Sequence, residues 1–453
     1  MTRPELDTGS HDLPVTSALE AFMARDWAEP LVEDPDLAPV AAWAAKRRAR
    51  LSECFPGERI VVPSGSYLGR SNDQDYRFRA HSDHVWLTGS QLSDAVLVLE
   101  PMGNRGHEAT LYLRPRADRR TSDEFWRDRR YGELWAGRRP SLAEVAARLD
   151  LPTRHLDDLP AVPALDGATD PELAAVLSEL RLVKDPWEIE QLTDAVDITV
   201  RGFTDVVREL PRAVELGERW IEGTFWRRAR LEGNDVGYSC IVAGGAHATT
   251  LHWIDNDGPV RPGELLLLDM GAENRSLYTA DVTRTLPVSG TFTPLQRDLY
   301  TLEFRAQEAG IAAVRPNARF RDFHNAAMAV LAHGLADLGL LPCSAAEALD
   351  EDSTVYRRWT LCGSGHMLGL DVHDCAAARA GAYLDGVLQP GHVLTVEPGI
   401  YLQAEDLLLP EEMRGIGIRI EDDLVVTDNG ARLLSGGLPR SPDEIETWLA
   451  SVE

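Results

Sequence analysis

Hydrophobic and polar positions alternate in short segments along the first third of the chain. Two stretches have helical spacing and four short apolar runs lie between turn residues, so helices are predicted at 41–55 and 141–149 and strands at 59–65, 83–89, 95–101 and 109–115. This order predicts a mixed α/β domain. Residues 1–35 are polar and contain Pro and Asp, which predicts an extended arm or a loosely packed helix.

A pair of predicted helices marks the boundary between two domains. The segment 168–210 has helical periodicity on both sides of Lys184, Asp185 and Pro186. A break of this kind indicates that one helix ends there and a long amphipathic helix begins. We therefore predict an N-terminal domain at 1–183 and a C-terminal domain at 184–453.

Two apolar segments of the C-terminal half lead to aspartates. The run 265–268 predicts a buried strand that ends at Asp269. In the segment 277–288, Asp281 shares a strand face with Thr283, because side chains alternate along a strand. Turn residues at 273–276 separate the two segments, so we predict an antiparallel hairpin that brings both aspartates to one site.

Three further candidate residues lie beside apolar runs of the same half. His366 lies in the segment 359–374, and Glu397 follows the run 394–396. Glu421 shares a strand face with Arg419, so this guanidinium is placed to form a charge-assisted pair with Glu421 or with a neighbouring carboxylate.

Burial of several carboxylates at one place requires compensating positive charge. One unpaired buried carboxylate already costs several kcal/mol, and four close together would cost far more without cations. Any one of these acids or histidines alone is more often a solvated or packed residue than a ligand. Their joint occurrence, each beside an apolar run and a Gly or Pro turn, predicts a site for two metal ions.

The motifs that contain these residues resemble those of a known family. They are DMGAE with DVTRT (269–273 and 281–285), GSGHMLGLDVH (363–373), TVEPGIY (395–401) and GIRIEDD (417–423). They resemble the pita-bread metallopeptidases, and within them the Xaa-Pro aminopeptidases (aminopeptidase P), although prolidases share much of the constellation. Residues 70–89 resemble the N-terminal domain of that family. The resemblance implies a smaller mixed α/β domain followed by a pita-bread catalytic domain.

The resemblance also implies a role for each candidate residue. Asp281 and Glu421 would bridge two divalent metal ions, His366 and Glu397 would complete one metal's coordination, and Asp269 would bind the other. A set of mainly oxygen ligands suits Mn(II) and tolerates Co(II), Zn(II) or Fe(II). Glu397 would in addition carry a proton to the leaving proline nitrogen.

Further residues match positions that surround the substrate in the family. His252 and His373 would stabilise the developing oxyanion, although His252 beside Trp253 could also be a packed strand histidine. The supporting residues implied are Tyr401, Arg419, Cys362, Asp73 and Trp135. Asp73 and Trp135 would reach a neighbouring subunit's active site in a homo-dimer or homo-tetramer, whereas Trp135 could equally be a domain-core aromatic.

One position departs from the family pattern. Cys362 stands where the family usually has a histidine, and a thiol cannot be a cationic donor at neutral pH. The expected activity is release of an N-terminal residue that precedes proline in short peptides. The alternatives are a prolidase acting on Xaa-Pro dipeptides, a relative with another small-molecule substrate, a metal-free creatinase-like hydrolase and a non-catalytic pita-bread module. The complete ligand set disfavours the last two.

Composition excludes several other classes of protein. The chain has 453 residues and a formal net charge of −27, which argues against nucleic acid as a partner. The five cysteines are scattered and odd in number, so neither a disulfide framework nor a zinc knuckle is expected. No run approaches 18 apolar residues and residues 1–14 contain acids, so we expect neither a membrane span nor a signal peptide and predict a cytoplasmic location.

Overall fold

The chain forms two compact units, 1–176 and 177–453, and the computed structural model describes residues 13–28 and 35–451. The division between the units falls within the helix Pro171–Leu182. The boundary predicted at 183/184 stays a prediction. Of the arm predicted at 1–35, residues 1–12 and 29–34 lie outside the described residues, and the helix Ser17–Met23 lies between them.

A five-stranded mixed sheet forms the centre of the N-terminal unit. Its order is Thr153–His155, His107–Leu113, Val96–Pro101, Ile60–Pro63 and Leu165–Asp166. The three inner strands pair antiparallel and each outer strand pairs parallel with its neighbour. A separate ribbon joins Gly69–Ser71 to Gln74–Asp75.

Helices of the N-terminal unit confirm two predictions from the sequence and contradict a third. The described helices are Ser17–Met23, Ala41–Cys54, Ser82–Thr88, Glu124–Arg127, Glu133–Ala136, Leu142–Leu149 and the shared Pro171–Leu182. The strand predicted at 83–89 is wrong, because this run is the helix Ser82–Thr88. All seven of its residues are buried, so the run has no polar face from which periodicity can distinguish helix from strand. Gly89, with φ of 72°, ends the helix in the left-handed conformation.

The long helix that the sequence predicts, Pro186–Arg208, lies near the start of the C-terminal unit. Asp185 caps it reciprocally with Glu188, and Pro186 occupies its first turn. The described helices that follow residue 182 in the C-terminal unit are Pro186–Arg208, Leu210–Leu216, Glu218–Glu232, Pro294–Ala313, Asp322–Asp337, Ala345–Ala348 and Pro442–Ser451.

Short 3₁₀ turns occur in both units. In the described chain they are Gly103–Arg105, Leu156–Asp158, Gly245–Thr249, Val355–Arg358 and Glu411–Met413.

Antiparallel strands make up the sheets of the C-terminal unit. The strand Leu265–Asp269 pairs with Thr283–Pro287 on one side and Ile241–Gly244 on the other, which confirms the predicted hairpin. The strand Asp422–Thr427 lies between Val393–Val396 and Gly430–Leu433. Two-stranded ribbons pair Gly399–Leu402 with Ile416–Arg419 and Asp235–Val236 with Ala272–Glu273.

Two of the buried apolar clusters in the C-terminal unit contain most of the buried apolar side chains of these strands and helices. The larger includes Phe203, Leu266 and Leu331, and the second includes Phe323 and Leu394. Both clusters hold the backbones of the strands that carry the candidate acids. Within residues 13–28 and 35–451, no helix is both long enough and apolar enough to cross a bilayer. None of the five cysteines, all in the described part, is in a disulfide.

Candidate metal centre

Three strand ends of the C-terminal unit bring acidic residues to one place. Asp269 is the last residue of its strand, and Asp281 lies just before the paired strand that starts at Thr283. Glu421 precedes the strand Asp422–Thr427, and its backbone N–H donates to the carbonyl oxygen of Thr283 over 3.1 Å. The backbone N–H of Asp281 donates to the Asp423 carboxylate over 3.1 Å. These bonds join separate sheets at the site.

A histidine and two carboxylates form the centre of this cluster. Asp281, His366 and Glu421 each offer one ligand atom, and these atoms all lie within 4.8 Å of one another. His366 Nε2 lies 3.3 Å from a carboxylate oxygen of Asp281 and 3.3 Å from one of Glu397. Although burial opposes it, the contacts with Asp281 and Glu397 raise the pKa of His366 to about 9. Oxygen and imidazole donors therefore converge on one point.

Asp269 is fixed by two donors, one to each of its carboxylate oxygens. Arg419 Nη2 lies 2.6 Å from one of its oxygens, and the Tyr238 hydroxyl lies 2.6 Å from the other. The same hydroxyl lies 2.5 Å from Asp281, so it can donate its single proton to only one of the two aspartates at a time. Arg419 also donates to Tyr401 over 2.8 Å. As the sequence predicts, Arg419 pairs with a carboxylate, and this carboxylate is Asp269.

Unsatisfied carboxylate oxygens show that the donor set fits cations. Glu421 Oε1 and Asp423 Oδ1 are buried and have no hydrogen-bond partner among the described residues. Burial and then the charge of Asp269 raise the pKa of Asp281 to about 7, and burial and then Asp281 raise that of Glu421 well above its usual range. Such carboxyls ionise together only beside added positive charge. Divalent metal ions supply this charge, and carboxylate and imidazole are donors that bind them.

A cavity of about 270 Å³ opens onto the cluster. It is lined by Asp269, Asp281, His366 and Glu397 and by the predicted substrate-site residues His252, His373, Cys362, Tyr401 and Arg419. His252 lies exposed in a loop, so the alternative of a packed strand histidine is wrong. The rings of His366 and His373 meet edge to face with centroids 4.3 Å apart. Burial and then the charge of His366 lower the pKa of His373, which favours its neutral form.

Cys362 borders the same cavity as a neutral thiol. Burial, and then the charge of Glu397, raises its pKa. The thiol lies 3.9 Å from the backbone carbonyl oxygen of Glu397, to which it donates weakly. At this position the chain therefore has a small, polarisable and neutral group.

Two residues that the sequence analysis missed support the site. Tyr238 lies in a turn before the strand Ile241–Gly244, where no periodic pattern marks it. Glu218, the first residue of its helix, is fully buried and accepts from the N–H groups of Gly244 and Gly258 over 2.8 and 2.7 Å. It also bonds His247 and Trp253, both over 2.9 Å. Glu218 therefore organises the loop 244–258, which carries His252.

The structure brings together every predicted site residue of the C-terminal unit. Asp73 and Trp135 belong to the N-terminal unit. Asp73 accepts from Arg129 over 2.6 Å, and Trp135 is 55% exposed, so Trp135 is not a domain-core aromatic. Their role at a neighbouring subunit stays a prediction.

Comparison with known proteins agrees with this site. Residues 190–428 match the model of metallopeptidase family M24, and residues 44–169 match that of the aminopeptidase P N-terminal domain. The chain is 57% identical over 462 residues to Xaa-Pro aminopeptidase 2 of Streptomyces coelicolor, which covers 96% of this chain and 97% of the relative. It is 31% identical over 438 residues to Xaa-Pro aminopeptidase of Escherichia coli, which covers 90% of this chain and 97% of that relative.

A solved structure shows the same fold. Zinc-substituted E. coli aminopeptidase P in complex with product matches with a TM-score of 0.81 and 28% identity, over 92% of this chain and all of the other. This confirms the fold class predicted from the motifs, an aminopeptidase P N-terminal domain followed by a pita-bread catalytic domain. The chain therefore belongs to the Xaa-Pro aminopeptidases of metallopeptidase family M24, a family of hydrolases that depend on divalent metal ions.

Proposed function

We propose that this chain hydrolyses the bond between an N-terminal residue and a following proline in short peptides, using two divalent metal ions, with Mn(II) the first choice. The observation that carries the proposal is the convergence of acidic and imidazole donors at a cavity, with Glu421 Oε1 left buried and unpartnered. The similarity to Xaa-Pro aminopeptidases over 96% of the chain supports the substrate class.

The proposed ligand set follows the geometry and the family motif together. Asp281 and Glu421 would hold both metal ions, since each offers an oxygen close to the same point as His366. His366 Nε2 and a Glu397 carboxylate oxygen, 3.3 Å apart, would help to hold one ion. Asp269, which shares the Tyr238 hydroxyl with Asp281, would help to hold the other. When bound, the two cations would activate a water molecule and stabilise negative charge on the scissile carbonyl oxygen.

Protein groups around the cavity supply the remaining steps. Glu397 lines the cavity and accepts a proton from the attacking water, then passes it to the leaving proline nitrogen. His252 and His373, which line the same cavity, donate hydrogen bonds to the developing oxyanion and orient the substrate. Arg419 keeps Asp269 and Tyr401 in place through bonds of 2.6 and 2.8 Å.

The test is metal-reconstituted hydrolysis of three substrates. Met-Pro-Ala, Met-Ala-Ala and the dipeptide Met-Pro are incubated with Mn(II) enzyme, and Asp281→Ala enzyme is the matched control. Methionine suits the first position because Ile241, Leu251 and Ile254 give the cavity an apolar wall. Mn(II)-dependent release of methionine from Met-Pro-Ala alone supports the proposal. Cleavage of Met-Pro alone identifies a prolidase.

The departure at Cys362 motivates the second candidate, a hydrolase for another small substrate. Two-metal binding without cleavage of any of the three peptides favours this candidate and overturns the peptidase proposal. The homo-oligomer and the cytoplasmic location stay predictions.

A further inference from the structure

A second cavity of about 330 Å³ adjoins the candidate metal centre in the C-terminal unit. Cys362 lines both cavities, so the two cavities meet at this residue. The second cavity contains no proposed metal ligand. A peptide that extends from the scissile bond past Cys362 would enter it.

The charges around this second cavity are unusual for a chain with a net charge of −27. Arg321, His324 and Arg357 line it, and none of the described residues of its lining is acidic. The acidic partner of Arg321 is Asp385, 3.0 Å away, and both side chains are more than half exposed, so this pair is weak. Arg357 makes a long 3.4 Å contact with the backbone carbonyl of Leu361. Both guanidinium groups therefore retain donor capacity for an anion.

His324 adds a polar group between the two arginines. It lies in the first turn of the helix Asp322–Asp337, and its Nδ1 lies 3.0 Å from the hydroxyl of Ser364. Burial, and then the charges of Arg357 and Arg321, lowers its pKa, so the imidazole is neutral at pH 7. All three side chains belong to residues that line the same cavity.

The rest of the wall is apolar. Phe320, Phe323 and Tyr356 line the cavity beside the cationic residues. Apolar walls with a few placed donors are the usual form of a site for a small ligand. A ligand with one side chain and one carboxylate fits this distribution, and the C-terminal residue of a peptide is such a ligand.

We infer that this cavity binds the C-terminal residue of the peptide substrate, with Arg357, Arg321 and His324 holding its free carboxylate. The inference rests on the proposed function and extends it. The C-terminal carboxylate of a tripeptide lies two residues beyond the scissile carbonyl, at most about 7 Å away, and that of a tetrapeptide lies at most about 11 Å away. Recognition of the terminus therefore favours short peptides with a free carboxylate.

The experiment compares peptides that differ only at their C-terminus. The kcat/KM of Mn(II) enzyme is measured for Met-Pro-Ala, Met-Pro-Ala-Ala and the C-terminal amide of each. We expect a preference for the free acid of about tenfold with at least one of the two lengths, mainly through KM, because the acid gains charge-assisted hydrogen bonds. The preference should decrease between 0.05 and 0.5 M NaCl, because both arginines are exposed to solvent.

Three variants test whether these side chains cause the preference for the free acid over the amide. Arg357→Gln and the double variant Arg321→Gln with Arg357→Gln should reduce the acid-to-amide ratio toward one, and His324→Asn should reduce it in part. Arg432→Gln is the matched control, because Arg432 is exposed and lies outside both cavities. Equal cleavage of acids and amides by the unmodified enzyme, or an unchanged ratio in the double variant, would overturn the inference while the proposed function stands. If none of the four peptides is cleaved, the proposed function itself fails and the inference fails with it.

Discussion

Two buried acidic groups of the C-terminal unit have opposite surroundings. The Asp374 carboxylate is 2.7 Å from Lys184 Nζ and also bonds Arg181, and all three side chains are buried. Although burial opposes it, the charges of Arg181 and Lys184 hold the pKa of Asp374 well below its usual range. The protein itself supplies the positive charge that this aspartate needs.

Asp281 and Glu421 of the candidate metal centre have no arginine or lysine ion pair among the described residues, because Arg419 pairs with Asp269 instead. Burial raises the pKa of Asp281 to about 7, and one oxygen of Glu421 has no partner among the described residues. Yet Asp374 and the central His366 lie on the same segment, 359–374. The comparison shows that Asp374 receives its cations from the chain, whereas the clustered Asp281 and Glu421 lack them and mark a place for an external ion.

The largest expected effect comes from removing one uncompensated acid. Glu421→Gln keeps the shape of the side chain and removes its charge, so we expect loss of one metal ion and a fall in kcat/KM of about 10³-fold or more. The thermal midpoint of the metal-free protein should not decrease, because the lost carboxyl had no cation. Metal stoichiometry, kinetics and calorimetry measure the three effects. Glu412→Gln, at an exposed glutamate, is the control, and equal activity in both variants would contradict the comparison.

For Asp374, whose charge is compensated by Lys184 and Arg181, we expect the opposite result, a loss of stability. Asp374→Asn leaves the ammonium of Lys184 buried without its carboxylate, which should destabilise the C-terminal unit by about 3–5 kcal/mol. The shift of its urea-unfolding midpoint in metal-free protein measures this. Asp371→Asn is the matched control: Asp371 also bonds Arg181, over 2.9 Å, but its side chain is 43% exposed, so a change below about 1 kcal/mol is expected. A larger shift of the unfolding midpoint for Asp371→Asn than for Asp374→Asn would contradict the view that Asp374 is the more important partner of the buried cations.

A buried histidine of the N-terminal unit extends the comparison to a group that is buried in its neutral form. His84 is fully buried, with Nδ1 2.9 Å from the carbonyl oxygen of Val62, and burial lowers its pKa from 6.5 to about 4. Because the unfolded state binds the proton first, the stability due to neutral His84 is complete above pH 6.5 and is lost as the pH falls to about 4. The loss should be about 3 kcal/mol.

Thermal unfolding of the N-terminal unit from pH 7 to 4 measures this dependence. His84→Asn keeps a donor for Val62 but does not titrate, so its midpoint should depend less on pH. The nearby His81 also repels positive charge on His84, and His81→Asn serves as the second variant. Identical pH profiles of the midpoint for His84→Asn and the unmodified protein would show that His84 does not cause the pH dependence.

Removal of the metal ions should destabilise the protein slightly less than protonation of His84. An ion that binds the folded state alone stabilises it by about 2.7 kcal/mol at a concentration of one hundred times Kd. We therefore expect chelation to lower the thermal midpoint of the C-terminal unit and Mn(II) to restore it in a concentration-dependent way. Glu421→Gln should show a much weaker response, and Asp374→Asn should retain the full one. A thermal midpoint that does not change with Mn(II) concentration would contradict the interpretation that Asp281 and Glu421 mark a metal site.

The smallest effect is expected from Glu218, an acid compensated by neutral donors. In Glu218→Gln the new amide group points either at the N–H donors of Gly258 and Trp253 or at the N–H donor of Gly244, which should loosen the loop that carries His252. We expect kcat/KM to fall about tenfold with metal stoichiometry unchanged, and amide hydrogen exchange in residues 244–258 to increase. Glu215→Gln, at an exposed position of the preceding helix, is the control. Unchanged exchange together with lost activity would indicate a direct role of Glu218 instead.

Adjacent residues show why part of the site could be predicted and part could not. Alternation along the strand places Glu421 on the face of Arg419 and Asp422 on the other, as the sequence predicts. Only the structure shows that Asp422 meets Arg284 at 2.8 Å, both fully buried, while Glu421 keeps an unpartnered oxygen. The positions of Arg284 and Asp422 along the chain do not reveal this long-range pair.

The sequence by itself determined the local features: the helix that begins at Pro186, the hairpin of Asp269 and Asp281, and the four motifs that carry the family resemblance. These depend on periodicity, caps and turns, which act over a few residues. Tertiary structure alone decided that residues 82–88 are helical, that Tyr238 and Glu218 support the site, that Cys362 stands between two cavities, and which buried acids receive cations from the chain. Each of these depends on burial and on contacts between residues far apart in sequence, and a linear pattern contains no record of such contacts.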